Sequence, residues 1–329
     1  MRTLIVAPRF HGYGASVARA LERSGHEAVL HSYDRPATTA ARVRNKAVHD
    51  LPPALVPAPW RGEPSRRAVE RLHAVRPARV LVIKGDLLDE RWWEAVHSCG
   101  ASVLTWLYDE VARMDYSWQR LETMPVIASY SAGDVETMRA RGLNAHHLPN
   151  AFDSLLGFAV RPEPAVSFIG ARYDQRVRLL VEAHRLGVPL RVYGRDWSRR
   201  PRDVAATRML PVRGLPTGPQ LERADGYGVM AGSLASLNTH SRQDGFTMRT
   251  FEIPGAGGIQ LVDRRDVAEF YEPDREVLVF DDAAHLKEQV DRIRRDRAWA
   301  RSLRERGRRR TLAEHTFVRR AEQMEQLWG

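Results

Sequence analysis

Short apolar runs alternate with longer amphipathic stretches along this chain, and the alternation stops once and then begins again. Runs such as TLIVA, ARVLVIK and ASVLTWLY are strand-like, while the stretches between them place apolar residues at helical spacing. Strands alternating with helices predict βαβ units and parallel sheets. In the first half the expected strands are TLIVA, EAVLHS, ARVLVIK, ASVLTWLY, PVIASY and NAHHLP, with helices over 15–23, 65–75, 90–98 and 132–141. The proline-rich stretch 51–64 reads as loop. Segment 150–164 holds PNAFD and RPEP and has no helical period, which places the domain boundary there.

The pattern restarts at AVSFIG and continues through a helix over 175–186 and the strand PLRVYG. A strand and turn over 206–214 and a helix over 218–224 are expected next. LASLNTH, a helix over 248–255, GIQLVD, EVLVFD and a helix over 283–294 complete the series. A chain of 329 residues exceeds what one hydrophobic core usually spans. The expected fold class is therefore α/β, with two doubly wound Rossmann-like domains over residues 1–150 and 151–312. The segment 313–329 is a final helix, whose Phe317, Ala321, Met324 and Leu327/Trp328 form an apolar stripe suited to packing.

Hydrophobic residues make up 43% of the chain and charged residues 28%, which excludes a disordered polymer. No apolar stretch reaches membrane-helix length. The single cysteine, Cys99, rules out an internal disulfide and a cysteine-based metal cluster. The expected address is cytoplasmic, peripheral to the membrane if the charge serves a surface. The formal charge of +10 has two readings, arginine-rich composition alone or an anionic acceptor or membrane surface. Nucleic acid is not expected, because the basic runs lack interleaved aromatics and no nucleic-acid motif is present.

The densest chemistry lies in SRQDGFTMRTFEIPGAGGIQLVD. A strand ends in a polar loop, Gly245 permits close backbone approach, and a helix starts near Thr247. The N–H groups and positive dipole end of that helix form an anion site. Arg249 falls in its first turn, where a cation opposes the dipole and requires an anionic partner. Glu252 follows within about one turn. Such a corner at the carboxyl end of a parallel sheet is where α/β proteins hold phosphorylated ligands.

Asp244 and Glu252 have the spacing of the E-x7-E motif, and DGFTMRTFE resembles that motif of retaining GT-B glycosyltransferases, with Asp at the first position. The variant is most similar to the CgeB-like glycosyltransferase family. The resemblance implies that Asp244 faces the donor sugar, that Gly245, Phe246 and Thr247 offer backbone N–H groups, and that Glu252 holds the nucleotide ribose. Thr250 falls within the same donor-binding helix. FIGARYDQR resembles the first strand and loop of a donor domain, which implies roles for Gly170, Arg172 and Arg176 at the pyrophosphate. RVYGRDW resembles the second donor-domain strand, which implies a place beside the nucleotide base for Tyr193 and Gly194, and the stretch ending in LASLNTH resembles the next flanking strand, which implies that Asn238 and His240 at its end face the donor. RFHGYGASVARAL resembles the glycine-bearing first loop of the acceptor domain, with His11 and Gly14 as candidates. TWLYDEVARM occupies the place where relatives carry His-Asp. Here Tyr108 stands in for the His, leaving Asp109 and Glu110 as acceptor-side groups.

The architecture so implied is GT-B, with two Rossmann-like domains facing a cleft and the last helix crossing back to the first domain. The reaction implied is sugar transfer from a nucleoside-diphosphate donor, UDP-sugar favoured, to an unidentified acceptor with retention. Asp244 and Arg249 carry the catalysis on the donor side. The chain lacks a D-x-D motif, so neither a metal nor another cofactor is expected. Three alternatives stay open: an inverting enzyme with His11 or Asp109 as base, a sugar-nucleotide epimerase, and a non-catalytic nucleotide- or sugar-binding protein on the same fold.

Overall fold

The computed structural model describes residues 1–34, 62–240 and 243–328. The loop expected over 51–64 falls mostly outside these. Its last two residues, Glu63 and Pro64, instead open a helix, with the proline in the first turn where its missing N–H costs nothing.

The chain divides into two compact units, Met1–Pro149 with Phe317–Gly329, and Asn150–Thr316. In the first unit β1 (Arg2–Ala7), β2 (Glu27–Ser32), β3 (Arg79–Ile83), β4 (Ser102–Leu107), β5 (Ile127–Ser129) and β6 (Ala145–His147) form one sheet. All its pairings are parallel, in the order β2-β1-β3-β4-β5-β6. The helices are α1 (Tyr13–Arg23), α2 (Glu63–Val75), α3 (Glu90–Ser98), α4 (Trp118–Glu122) and α5 (Ala132–Ala140). Trp92, Trp93, Leu4 and Val82 meet in the core between the helices and the sheet. Gly14 of α1 lies against Ala7 and Leu30, where a Cβ would come within 3.1 Å of both side chains. Helix–strand packing therefore accounts for that glycine.

In the second unit β7 (Glu163–Ile169), β8 (Leu190–Tyr193), β9 (Thr217–Gly218), β10 (Ser233–Asn238), β11 (Gln260–Val262) and β12 (Leu278–Val279) form another parallel sheet, in the order β12-β11-β10-β7-β8-β9. Its helices are α6 (Asp174–Arg185), α7 (Pro201–Thr207), α8 (Arg223–Gly232), α9 (Met248–Ala256), α10 (Ala283–Arg295) and α11 (Arg297–Glu314). The chain lays β7, β8 and β9 to one side and then returns to lay β10, β11 and β12 to the other. The β7–β10 pair is thus a topological switch point.

Two local expectations are corrected here. The strand expected over 206–214 is absent: α7 runs into Thr207, and the strand is the short β9 further on. The helix expected over 218–224 starts at Arg223 and continues to Gly232. The part beyond 224 contains Gly226, Gly228 and Gly232, and glycine is a poor helix former. Gly228 and Gly232 are there because the backbone of 159–161 runs against the helix, and a Cβ at either would strike a carbonyl of that segment. Arg161 N–H donates to the Gly228 carbonyl at 3.0 Å.

Segment 150–164 is also more than a connector. Phe152 packs on Tyr227 at 5.1 Å between ring centroids and bonds through its N–H to the His315 carbonyl. The last helix, α12 (Phe317–Trp328), belongs to the first unit. Its apolar stripe is buried as expected, apart from the half-buried Leu327, and Glu325 pairs with His26 at 2.7 Å.

Candidate functional site

In the second unit the carboxyl ends of β7 and β10 open on the residues singled out from the sequence. Helix α9 begins beside them. Its N-cap, Thr247, is extended, makes no side-chain cap, and no acid lies in the first turn. The first backbone N–H groups of the helix lack intrahelical acceptors by geometry, so the end is positive and able to receive an anion. At its other end Gly257 takes a left-handed conformation (φ 91), and the N–H groups of Gly257 and Gly258 bond to the carbonyls of Pro254 and Ile253 at 2.8 Å each. That closure ends the helix after Pro254, which sits inside it.

The anionic partner that Arg249 requires lies within the same helix. Arg249 Nη1 donates to Glu252 Oε2 at 2.5 Å, and the Tyr227 hydroxyl donates to Oε1 at 3.1 Å. Glu252 is 0% exposed, so the outward-facing member of the pair is Arg249.

A second cation reaches the switch point from α6. Arg176 Nε donates to Thr239 Oγ1 at 3.0 Å and Nη2 to the Thr239 carbonyl at 2.6 Å, joining α6 to the residue that follows β10. Burial pushes the Arg176 guanidinium below its usual range. Tyr173 and Asp263 oppose that shift, and the nearby Arg249 charge adds to it. Two guanidinium groups in mutual range at a helix N-terminus make a cationic corner suited to a phosphate-bearing ligand.

The loop carrying Asp244 is fixed from behind. Arg264 Nη1 donates to the carbonyls of Gln243 and Asp244 at 2.9 and 2.7 Å, and its guanidinium lies 4.0 Å over the Phe246 ring. Asn150 donates to the Phe246 carbonyl at 3.1 Å. The Asp244 side chain is left exposed, while Gly245 and Phe246 are buried. His240 is held by Asp263, which accepts from its backbone N–H and lies 2.9 Å from Nδ1.

Several other candidates serve the framework. Asn238 donates to Thr250 Oγ1 at 2.9 Å, and both side chains are buried, tying β10 to α9. The Tyr193 hydroxyl donates to Glu163, the residue that opens β7, at 2.7 Å. Gly170 and Gly194 allow two loop backbones to touch: a Cβ on Gly194 would lie 2.7 Å from the Gly170 carbonyl oxygen. Arg172 ties down the 208–216 loop through the Leu210 carbonyl at 2.7 Å.

In the first unit His11 is exposed on the turn after β1, with φ 47. Asp109 follows β4, and burial raises its carboxyl pKa against the opposing charges of Arg113 and Lys84. Glu110 accepts from the Tyr130 hydroxyl at 2.6 Å. Beside them is a group missing from the sequence reading. Lys84 (φ 62) and Gly85 (φ 77) turn sharply after β3, and Lys84 Nζ lies 3.5 Å from the buried Asp86 carboxylate. Tyr116 donates to the Lys84 carbonyl at 2.6 Å. Only the apolar strand ending in Lys-Gly-Asp pointed to it.

Tyr227, Asp263 and Arg264 were likewise missed in the second unit. Tyr227 was hidden in a glycine-rich helix, and the two others follow β11 in a run of charges that reads as surface. Among the described residues no three His, Cys, Asp or Glu side chains converge as a metal-ligand group, and no helix is long and apolar enough to cross a membrane.

Residues 174–326 match a protein family described as glycosyl transferase-like. A sequence comparison with curated proteins gives no match. The fold is similar to that of sucrose-phosphate synthase from Thermosynechococcus elongatus, at 17% identity and TM-score 0.67 over 100% of this chain and 98% of that one. It is also similar to the Anabaena protein HepE in complex with UDP-glucose, at 12% identity and TM-score 0.66 over 99% and 98%. A putative UDP-N-acetylglucosamine 2-epimerase from Listeria monocytogenes aligns at 12% identity and TM-score 0.60 over 98% and 94%. Two parallel six-stranded α/β sheets and these likenesses establish a GT-B fold, and residues 174–326 of its second half are similar to a glycosyl transferase-like family.

Proposed function

We propose that this protein transfers a sugar from a nucleoside-diphosphate donor, UDP-sugar favoured, to an acceptor bound by the first unit, with retention at the anomeric carbon and without a metal. The observation that carries the proposal is the cationic corner of the second unit. There Arg249, Arg176 and the N-terminus of α9 gather at the β7–β10 switch point, with Glu252 behind Arg249. Charge of that sign and placement stabilises a departing diphosphate, and preorganised dipoles of this kind are usually the largest catalytic contribution. UDP as the nucleotide is supported by the likeness to HepE in complex with UDP-glucose.

On this reading Glu252 receives the ribose hydroxyls as Arg249 turns from it toward the diphosphate. Asp244, exposed on a loop braced by Arg264, faces the sugar. The bond from the anomeric carbon to the diphosphate oxygen breaks, the acceptor oxygen takes its place on the same face, and the acceptor proton leaves with the diphosphate. His11 and Asp109 act on the acceptor side.

The test is incubation of the full chain with UDP-glucose, UDP-N-acetylglucosamine and GDP-mannose. The proposal expects slow release of nucleoside diphosphate and an α-configured sugar product by NMR. A non-catalytic binder leaves every donor intact. An epimerase returns a sugar-nucleotide of altered configuration, and either result rejects the transferase reading.

A further inference from the structure

The second unit has a cavity of about 880 Å³ at the amino ends of its central strands, opposite to the cationic corner. Its lining includes Glu163, Ser233 and Ile259, which stand at or just before the starts of β7, β10 and β11. The candidate donor residues lie at the other ends of these strands, roughly 20 Å away for a six-residue strand. The two sites are therefore distinct.

Four arginines line the cavity: Arg294 from α10 and Arg297, Arg301 and Arg304 from α11. Arg294, Arg297 and Arg301 are exposed, and none makes a hydrogen bond or ion pair among the described residues. Arg297 is the first residue of α11, where a cation opposes the helix dipole. The acids close by are engaged elsewhere. Glu163 accepts from Tyr193 at 2.7 Å, Asp291 pairs with Lys287 although it also feels the Arg294 charge, and Asp296 caps α11 through the Trp299 N–H at 2.8 Å.

Arg304 adds a second, independent sign. Its guanidinium is largely buried and donates to four backbone carbonyls, those of Ala231, Ser233, Leu234 and Gly257, with no carboxylate among its partners. Burial lowers its pKa. A buried charge held only by neutral dipoles remains without a counter-ion, and placing one nearby is favourable.

We infer that this cavity is a binding site for a soluble organic phosphate, held by Arg297, Arg301 and Arg294 above the buried charge of Arg304. Guanidinium forks match phosphate oxygens in a bidentate way. The volume lies in the range of small-molecule sites. Ile259, Ile293 and Pro162 provide an apolar wall for the organic part. Arg304 is less exposed than Arg294, Arg297 and Arg301 and is held by four backbone carbonyls, so a small phosphate entering the cavity meets all four charges more readily than a flat bilayer does.

The test uses inorganic pyrophosphate as probe, titrated calorimetrically into the full chain. Arg297→Gln/Arg301→Gln is compared with Arg308→Gln/Arg309→Gln, a double variant of the same charge on exposed positions of α11 outside the cavity. The expected result is that the cavity variant loses one class of pyrophosphate sites, or binds there at least about 10-fold more weakly, while the control keeps both. Equal behaviour of the two variants overturns the proposal, as does wild-type protein with a single class of sites that both variants retain. Flotation with phosphatidylglycerol vesicles separates the lipid source. Flotation lost in the cavity variant alone, with pyrophosphate binding unchanged, overturns the soluble ligand in favour of a membrane surface.

Discussion

Arg249 and Glu252 face each other across one turn of α9, with Nη1 2.5 Å from Oε2, and the carboxylate is buried while the guanidinium reaches outward. The pair holds a cation in a position the helix dipole opposes, at the end where an anion is favoured. Glu252→Gln keeps the shape and removes the charge. Losing charge-assisted hydrogen bonds to ribose costs about 1.5–3 kcal/mol. UDP and UDP-sugar should therefore bind about 10- to 150-fold more weakly, with circular dichroism unchanged. Wild-type affinity for UDP in this variant would remove Glu252 from the donor site.

Asp244→Asn should behave differently. The side chain is exposed, and its loop is held through backbone carbonyls by Arg264, which the substitution leaves in place. Turnover should fall by about 10-fold or more, while affinity for free UDP stays within about twofold. Equal losses in both quantities would place Asp244 at the nucleotide and not at the sugar.

Tyr227→Phe tests the support beneath the corner. Tyr227 is fully buried and its hydroxyl donates to the buried Glu252 carboxylate at 3.1 Å. Removing that donor should cost about 1.5–3 kcal/mol of stability, read by urea denaturation. A loss below about 0.5 kcal/mol would mean that the remaining partners satisfy the carboxylate without Tyr227.

Asp109 gives a pH dependence with a definite sign. Burial raises its carboxyl pKa in the folded state, so the folded protein binds this proton more tightly than the unfolded chain. Its contribution is fully present below the ordinary Asp pKa and is lost as pH rises through the higher folded value. Asp109→Asn should accordingly melt at a higher temperature than wild type at neutral pH, and the gap should shrink as the pH is lowered through the carboxylate range. A gap that grows toward acid would reverse the assignment.

Chelation bears on the charge supply. If Arg249, Arg176 and the α9 N-terminus provide the cationic field, turnover should be unchanged in excess EDTA. Full loss, restored by Mg²⁺ or Mn²⁺, would require a metal at the diphosphate.

The sequence by itself determined the class of fold and the place of the helix start at Thr247. Strands buried on both faces must be continuous apolar runs, and the helices that cover them must carry a 3.6-residue stripe, so periodicity exposes both. It also marked Asp244, Arg249 and Glu252, because they share one short segment around a helix start. The partners of those residues came only from the tertiary structure. Tyr227 reaches Glu252 from another helix, Arg264 braces the Asp244 loop from beyond β11, and Arg176 closes on Thr239 across 63 positions. Asn238, Thr250 and Tyr193 carried the right residue types, yet their polar atoms are bonded to one another or to Glu163. The α8 helix runs past the expected 218–224 because its glycines fit a neighbouring backbone and do not follow a helical preference. Local pattern records what each segment must bury. Which polar group meets which is decided by the parallel topology, which brings distant segments to the same end of one sheet.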